Sequence, residues 1–172
     1  MIGSVLLIPM LLIRYGLPLF ADKNAVKRLA FSPPTKGRER IAFIVYQLST
    51  LAVLIYLFFV KIAVDSVMFY IGASLYCTGI LLYALSIIDF AKPSGQGINT
   101  NGLYRFSRNP IYMAFLIFLL GCVLITGSSV LFVLSAIFQI SVHWIILSEE
   151  RWCLSEFGEE YEQYMKKVRR YL

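Results

Sequence analysis

Two short stretches of this sequence gather the groups that could do chemistry. The first is Gly102-Leu103-Tyr104-Arg105-Phe106-Ser107-Arg108-Asn109-Pro110-Ile111-Tyr112. Asn109 followed by Pro110 reads as a helix start, with Asn as the cap and Pro at the first helical position. A helix N-terminus offers unpaired N–H donors and a positive dipole end, so it favours an anionic group such as a carboxylate. Arg105 and Arg108 lie just before it, and a guanidinium holds a carboxylate or phosphate through two parallel hydrogen bonds. The second stretch is Glu149-Glu150. Turned into a helix bundle, such acids would bind a cation or an ammonium group. Each stretch also has a plainer reading: a capped helix with boundary arginines, and two solvated acids.

The elements that must position these groups follow from composition and from the uncharged runs. The chain has 172 residues, 59% hydrophobic and only 15% charged, with 15% aromatics and a formal net charge of +6. Soluble domains are nearer 45–50% apolar and about 25% charged. Composition therefore argues against a soluble domain, a disordered chain, a collagen or a coiled coil. Ile41–Val60, Ser66–Ile88 and Ile111–Ser148 carry no charge over 20, 23 and 38 residues, counting His143 as neutral. A membrane span needs about 20 residues, so the longest run is two helices, broken at the turn-like cluster Thr126-Gly127-Ser128-Ser129. Met1–Phe20 is apolar but interrupted by Pro9, Arg14 and Pro18. Its charges follow the apolar stretch, unlike those of a cleaved signal, so it reads as a retained first helix. The expectation is one all-α membrane domain, residues 1–172, with spans near 1–20, 41–61, 66–89, 110–126 and 129–148.

Basic residues orient these spans. Lys23, Lys27, Arg28, Lys36, Arg38 and Arg40 lie in the first long loop, and Lys92, Arg105 and Arg108 in the second. Arg151, Lys166, Lys167, Arg169 and Arg170 lie in the tail, while only Arg14 and Lys61 lie elsewhere. Five spans put all three basic segments on one side. The N-terminus is then outside, and both polar stretches face the cytoplasm. The tail reads as an amphipathic helix over about 150–170, with Phe157, Tyr161, Tyr164, Val168 and Tyr171 on one face. Acidic residues crowd its start and basic residues its end, which complements the helix dipole, and Glu162 with Lys166 is a favourable i,i+4 pair.

Other features carry less. Cys77, Cys122 and Cys153 are odd in number and far apart, which supports neither a disulfide framework nor a zinc site. No metal-ligand spacing is present, and the basic residues form no nucleic-acid-binding motif. His143 is the only histidine, placed one heptad before Glu150, and it reads as a packing or hydrogen-bonding residue. Gly95-Gln96-Gly97 does not follow a strand, so it is not a dinucleotide fingerprint. Trp144 and Trp152 suit interfacial anchors.

Taken in order, Gly102-x-Tyr104-Arg105-x-x-Arg108-Asn109-Pro110-x-Tyr112, a hairpin, then Glu149-Glu150-x-x-x-Leu154 and Phe157-Gly158-Glu159-Glu160-Tyr161-x-x-Tyr164 resemble the integral-membrane methyltransferases. That superfamily includes isoprenylcysteine carboxyl methyltransferases and phospholipid N-methyltransferases, and the resemblance covers roughly residues 70–172. It implies S-adenosylmethionine (SAM) as methyl donor. It also implies a cofactor site lined by Tyr104, Asn109, Pro110 and Tyr112, with Glu149 and Glu150 facing the cofactor's charged end or holding the pocket shut. Gly79 stands where the family often has a glycine near the cofactor, and ordinary helix packing explains it equally well. Arg105 or Arg108 would orient an anionic part of the substrate. Carboxyl methyltransferases often carry His where this chain has Asn109, which leaves the nucleophile open.

The function expected is methylation of a lipophilic or lipid-linked acceptor, an isoprenylcysteine-like carboxylate or a phospholipid amine. The partners are the bilayer and a lipophilic substrate, with no nucleic acid and no obligate protein partner. The alternatives are a membrane sterol-type reductase relative and a small membrane scaffold or transporter subunit. The topology has a direct test. A cysteine placed at Ser128, with the three native cysteines replaced, should be labelled by an impermeant maleimide from the external side; labelling from the cytoplasm would overturn both the orientation and the shared site.

Overall fold

Charge-free runs of this length fold as helices in an apolar setting, because every backbone group must be satisfied within the segment. The computed structural model describes residues 2–21, 27, 29, 31, 33–35, 37, 39–64, 66–92 and 98–171. Lys23, Arg28, Lys36 and Arg38, and Gly95-Gln96-Gly97, lie outside the described residues. After a 3-10 turn, Gly3–Leu6, come α1 (Leu7–Ala21), α2 (Glu39–Phe59) and α3 (Val67–Ala91). A second 3-10 turn, Gly102–Arg105, precedes α4 (Pro110–Thr126), α5 (Ser129–Phe157) and α6 (Glu159–Lys167). The described residues hold no strand beyond two isolated bridges, Ile2 with Lys61 and Ser107 with Arg169.

Helices α2, α3 and α5 are long and apolar enough to cross a membrane by length and composition, while Gly3–Leu19 and Pro110–Thr126 form shorter apolar helices. Helix α2 carries exposed Ile41, Ile44, Leu48, Leu51, Ile55 and Phe58. These recur every three or four residues, an outward apolar stripe that water would disfavour and lipid would cover. The break after α4 is the expected one. Gly127 takes φ +60°, in the left-handed region, and Ser128 caps α5 by accepting from the Leu131 amide at 3.2 Å.

The tail differs from expectation. Residues 150–157 continue α5 without interruption, since nothing before Gly158 breaks a helix. Gly158, at φ +52°, ends α5 and opens α6. Helix α6 stops at Lys167, and Val168 is already extended. The single amphipathic face therefore reduces to Tyr161 and Tyr164, both buried, and residues 168–171 run on as a strap.

The core is built on close helix contact. Gly79 in α3 lies so near α4 that a side-chain carbon there would overlap the Phe118 backbone. Gly121 has the same relation to Tyr76, and Gly72 to the Ile125 amide. Across this seam an aromatic row links four helices. Tyr76, Phe118, Phe115, Phe138 and Tyr46 stack in sequence with centroids 5.2–5.5 Å apart.

Each end of the bundle is buckled by polar contacts. At one end the Gly3 amide donates to the Val60 carbonyl at 2.8 Å, Ala63 to Ile125 at 3.0 Å, and Tyr56 shares a 2.8 Å hydroxyl contact with Ser128. At the other, Arg151 of α5 pairs with Glu39 of α2. The seam predicts a clear asymmetry between glycines. Gly79→Ala should destabilise by about 1–3 kcal/mol through overpacking, read as a lower Tm in detergent. Gly16→Ala, with nothing within 4 Å of the added carbon, should leave Tm unchanged or raise it.

Candidate active site

The loop between α3 and α4 is shaped by a carboxylate and a glycine. Asp89 accepts the Leu103 amide at 2.9 Å, and the Asn99 side-chain amide donates to the Asp89 carbonyl at 2.7 Å. Gly102 has φ +52°, and any Cβ there would overlap the Asp89 carboxylate, so only glycine fits this turn. The turn buries Tyr104, whose carbonyl accepts the Tyr164 hydroxyl of α6 at 2.6 Å. Burial pushes the Tyr164 phenol up to about 12, against a smaller opposing pull from Arg108. It therefore stays a neutral donor.

Asn109 occupies the cap position of α4, but its side chain makes no capping hydrogen bond. It donates instead to the Arg170 carbonyl of the strap at 3.0 Å. The Arg108 amide donates to the Arg169 carbonyl at 2.9 Å, and the Ser107 hydroxyl to that of Arg170 at 3.4 Å. Two turns of sequence-distant backbone are thereby laid side by side. Ser107 and Arg170 were not singled out from the sequence. The local signal is polarity, before a helix start for Ser107 and beyond a helix end for Arg170.

Glu150 holds this junction. Arg108 approaches one carboxylate oxygen through Nε at 3.0 Å and Nη2 at 2.9 Å, and Arg170 approaches the other through Nε at 2.9 Å and Nη2 at 2.8 Å. Glu150 is 4% exposed. The third Arg108 nitrogen donates to the Met165 carbonyl at 3.1 Å. The bond to Glu150 raises the Arg170 guanidinium further above its ordinary range. One residue earlier, Glu149 is half-buried and takes the Tyr112 hydroxyl at 2.7 Å on one oxygen. The other oxygen has no hydrogen bond among the described residues.

Tyr104, Arg108, Asn109, Pro110, Tyr112, Glu149 and Glu150 thus meet at one end of the bundle. Arg105 does not join them: it is exposed. Gly79 lies about 18 Å along α3 from Ala91 at 1.5 Å per residue, with its open face filled by α4. His143 is exposed and contacts the Tyr171 hydroxyl at 2.6 Å, a hydrogen-bonding role against the strap. Pro110 faces a small apolar groove of about 70 Å³ with Leu82, Leu103, Phe106 and Met113.

Chemically, the arrangement is a helical membrane bundle whose polar head offers one free carboxylate oxygen, a neutral phenol and a locked Arg–Glu–Arg group. Residues 67–160, more than half of the chain, match the model of the phospholipid methyltransferase family; this chain belongs to that family. It is similar to a protein-S-isoprenylcysteine O-methyltransferase of Schizosaccharomyces pombe, 39% identical over 74 residues, covering 40% of this chain and 30% of the relative. It is also similar to methanethiol S-methyltransferase 1 of Bradyrhizobium diazoefficiens, 36% identical over 66 residues, covering 38% of this chain and 22% of the relative. The matched stretches span less than a third of each relative's length. No solved structure matches.

The two acids should respond differently to mutation. Removing one partner of a buried ion cluster costs about 3–5 kcal/mol, so Glu150→Ala should lower Tm and expose the Lys166–Lys167 region to trypsin. Glu149→Gln loses at most one hydrogen bond of about 0.5–1.5 kcal/mol and should leave the strap protected. Equal trypsin resistance in both variants would remove Glu150 from its clamping role.

Proposed function

We propose that this chain is a SAM-dependent methyltransferase acting on a lipophilic acceptor in the bilayer. The observation that carries this reading is the overlap of the family match, residues 67–160, with the residues that converge at the polar head. The donor set suits SAM, which carries an ammonium, a carboxylate and a sulfonium. Glu149 has an oxygen without a hydrogen bond among the described residues for the ammonium, Tyr112 holds its other oxygen, and Tyr104, Asn109 and Pro110 are further candidate lining. Glu150, committed to Arg108 and Arg170, keeps the strap closed rather than binding the cofactor. When bound, SAM supplies a methyl group already activated by its sulfonium.

The chain's own part is then positioning and exclusion of water, which suffices for much of the acceleration in such transfers. The Tyr112 hydroxyl fixes the Glu149 carboxylate, and the strap covers the helix start at Asn109. The relatives are named for transfer to oxygen and to sulfur, and the family for a phospholipid, so the acceptor atom is not fixed by kinship. We infer five crossings with the N-terminus outside and the polar head on the cytoplasmic side, a reading supported by the basic residues clustered at that end.

Calorimetry on the purified protein in detergent tests the cofactor assignment. Wild type should bind SAM. Glu149→Gln should weaken binding roughly 10- to 150-fold, the equivalent of about 1.5–3 kcal/mol for a hydrogen bond to a charged group. No heat of SAM binding to wild type would sink the proposal.

A further inference from the structure

Arg14 sits within α1, among apolar residues, and is half-buried. A cation inside a membrane helix is costly and usually faces the bundle or a polar partner. Its one hydrogen bond among the described residues is a long one, from Nη1 to the Tyr83 hydroxyl of α3 at 3.3 Å. A guanidinium has five N–H donors, so most of its capacity is unused among the described residues. The other described arginines differ. Arg108, Arg151 and Arg170 are each paired with a carboxylate, and Arg40, Arg105 and Arg169 are exposed. Among the described arginines, Arg14 alone is withdrawn from solvent with no carboxylate partner among the described residues.

The Tyr83 ring packs 6.2 Å from that of Phe115 on α4, and the row continues through Phe138 of α5 to Tyr46 of α2; Tyr112, which holds Glu149, lies one helical turn before Phe115 on α4. The Tyr46 hydroxyl has no hydrogen bond among the described residues. A row of rings thus leads from the cation on α1 into the bundle, toward the helix whose Tyr112 holds the acid on α5. Both α1 and α2 lie outside the family match at residues 67–160. The carboxylate-compensated arginines, by contrast, surround the proposed cofactor head. Arg108, whose fork is filled by Glu150 and whose remaining nitrogen is given to Met165, has no fork left for a substrate anion.

We propose that Arg14 is a specificity-determining residue that receives the oxyanion of a lipophilic acceptor, a carboxylate or phosphate on an apolar tail lying among the helices. This rests on the methyltransferase reading and names the acceptor class for it. A guanidinium matches either oxyanion through paired hydrogen bonds. The Tyr83 contact keeps the guanidinium inside the bundle when no anion is bound. The acceptor is then held by a part of the chain separate from the proposed donor pocket.

The test is equilibrium binding of radiolabelled palmitate, hexadecyl phosphate and hexadecylamine at pH 8 to the full chain in phosphatidylcholine nanodiscs. SAM affinity is measured in parallel by calorimetry. Wild type should favour at least one anion over the amine by roughly tenfold or more, as expected for a charge-assisted contact in a poorly hydrated setting. The tighter anion identifies the head group. Arg14→Gln should abolish that preference with SAM affinity unchanged within about twofold, a normal scatter for a distant site. Arg14→Lys keeps the charge but not the fork, so it should retain the anion preference with lower affinity, and it serves if the glutamine variant does not fold. An unchanged anion-to-amine ratio in Arg14→Gln, or no anion preference in wild type, overturns the proposal. Loss of SAM binding in wild type would instead strike the methyltransferase reading, leaving the anion measurement to stand or fall separately.

Discussion

The structure depends on how the buried Glu150 carboxylate is compensated. A single acid that is almost wholly removed from solvent must be matched by charge and by hydrogen bonds, or it destabilises the fold. Arg108 and Arg170 supply both, each meeting one oxygen with two nitrogens. They come from the loop before α4 and from the strap after α6, while Glu150 itself belongs to α5. Three sequence-distant segments are thus tied at one point. The backbone pairing of Ser107 with Arg169, the Asn109 contact to the strap and the covering of the α4 start all lie within a few residues of that tie.

The order of commitments explains why neighbouring acids have different roles. Glu149 and Glu150 are adjacent, but a step of one residue turns the side chain about 100° around a helix of 3.6 residues per turn. One faces α4 and finds the Tyr112 phenol. The other faces the loop and the strap and finds two guanidiniums. A phenol leaves a carboxylate with spare acceptor capacity, whereas two forks exhaust it. Glu149 therefore keeps acceptor capacity, while Glu150 ties the three segments together.

Much of the bundle was legible in the sequence because it is local. Uncharged length gives the helices, Gly127 and Ser128 give the hairpin, and Asn109-Pro110 gives the start of α4. The site was legible in part, since Tyr112, Glu149, Glu150 and Arg108 do converge. What was not legible depends on residues brought from afar. The use of the Asn109 side chain as a tether requires the strap to be in place. The end of α6 at Lys167 reflects the pull of Arg108 and Glu150 on the following residues, not any breaker in the sequence. Arg14 reads in sequence as an interruption of an apolar run, because its partner Tyr83 stands 69 residues away. Gly79 carried two readings, and its contact with the Phe118 backbone shows the helix packing that one of them described.

That glycine seam constrains traffic through the bundle. Where Gly72, Gly79 and Gly121 bring α3 and α4 together, main chain meets main chain. No rotamer change can open a contact without side chains. Separating it requires moving a whole helix and giving up close packing along its length. A bulky apolar molecule passing from the lipid to the interior has no doorway there. Elsewhere the helices meet through side chains, as with the tilted rings of Tyr46 and Phe138 between α2 and α5, and such contacts can rearrange by rotamer changes alone. The seam is a wall along the contact of α3 with α4.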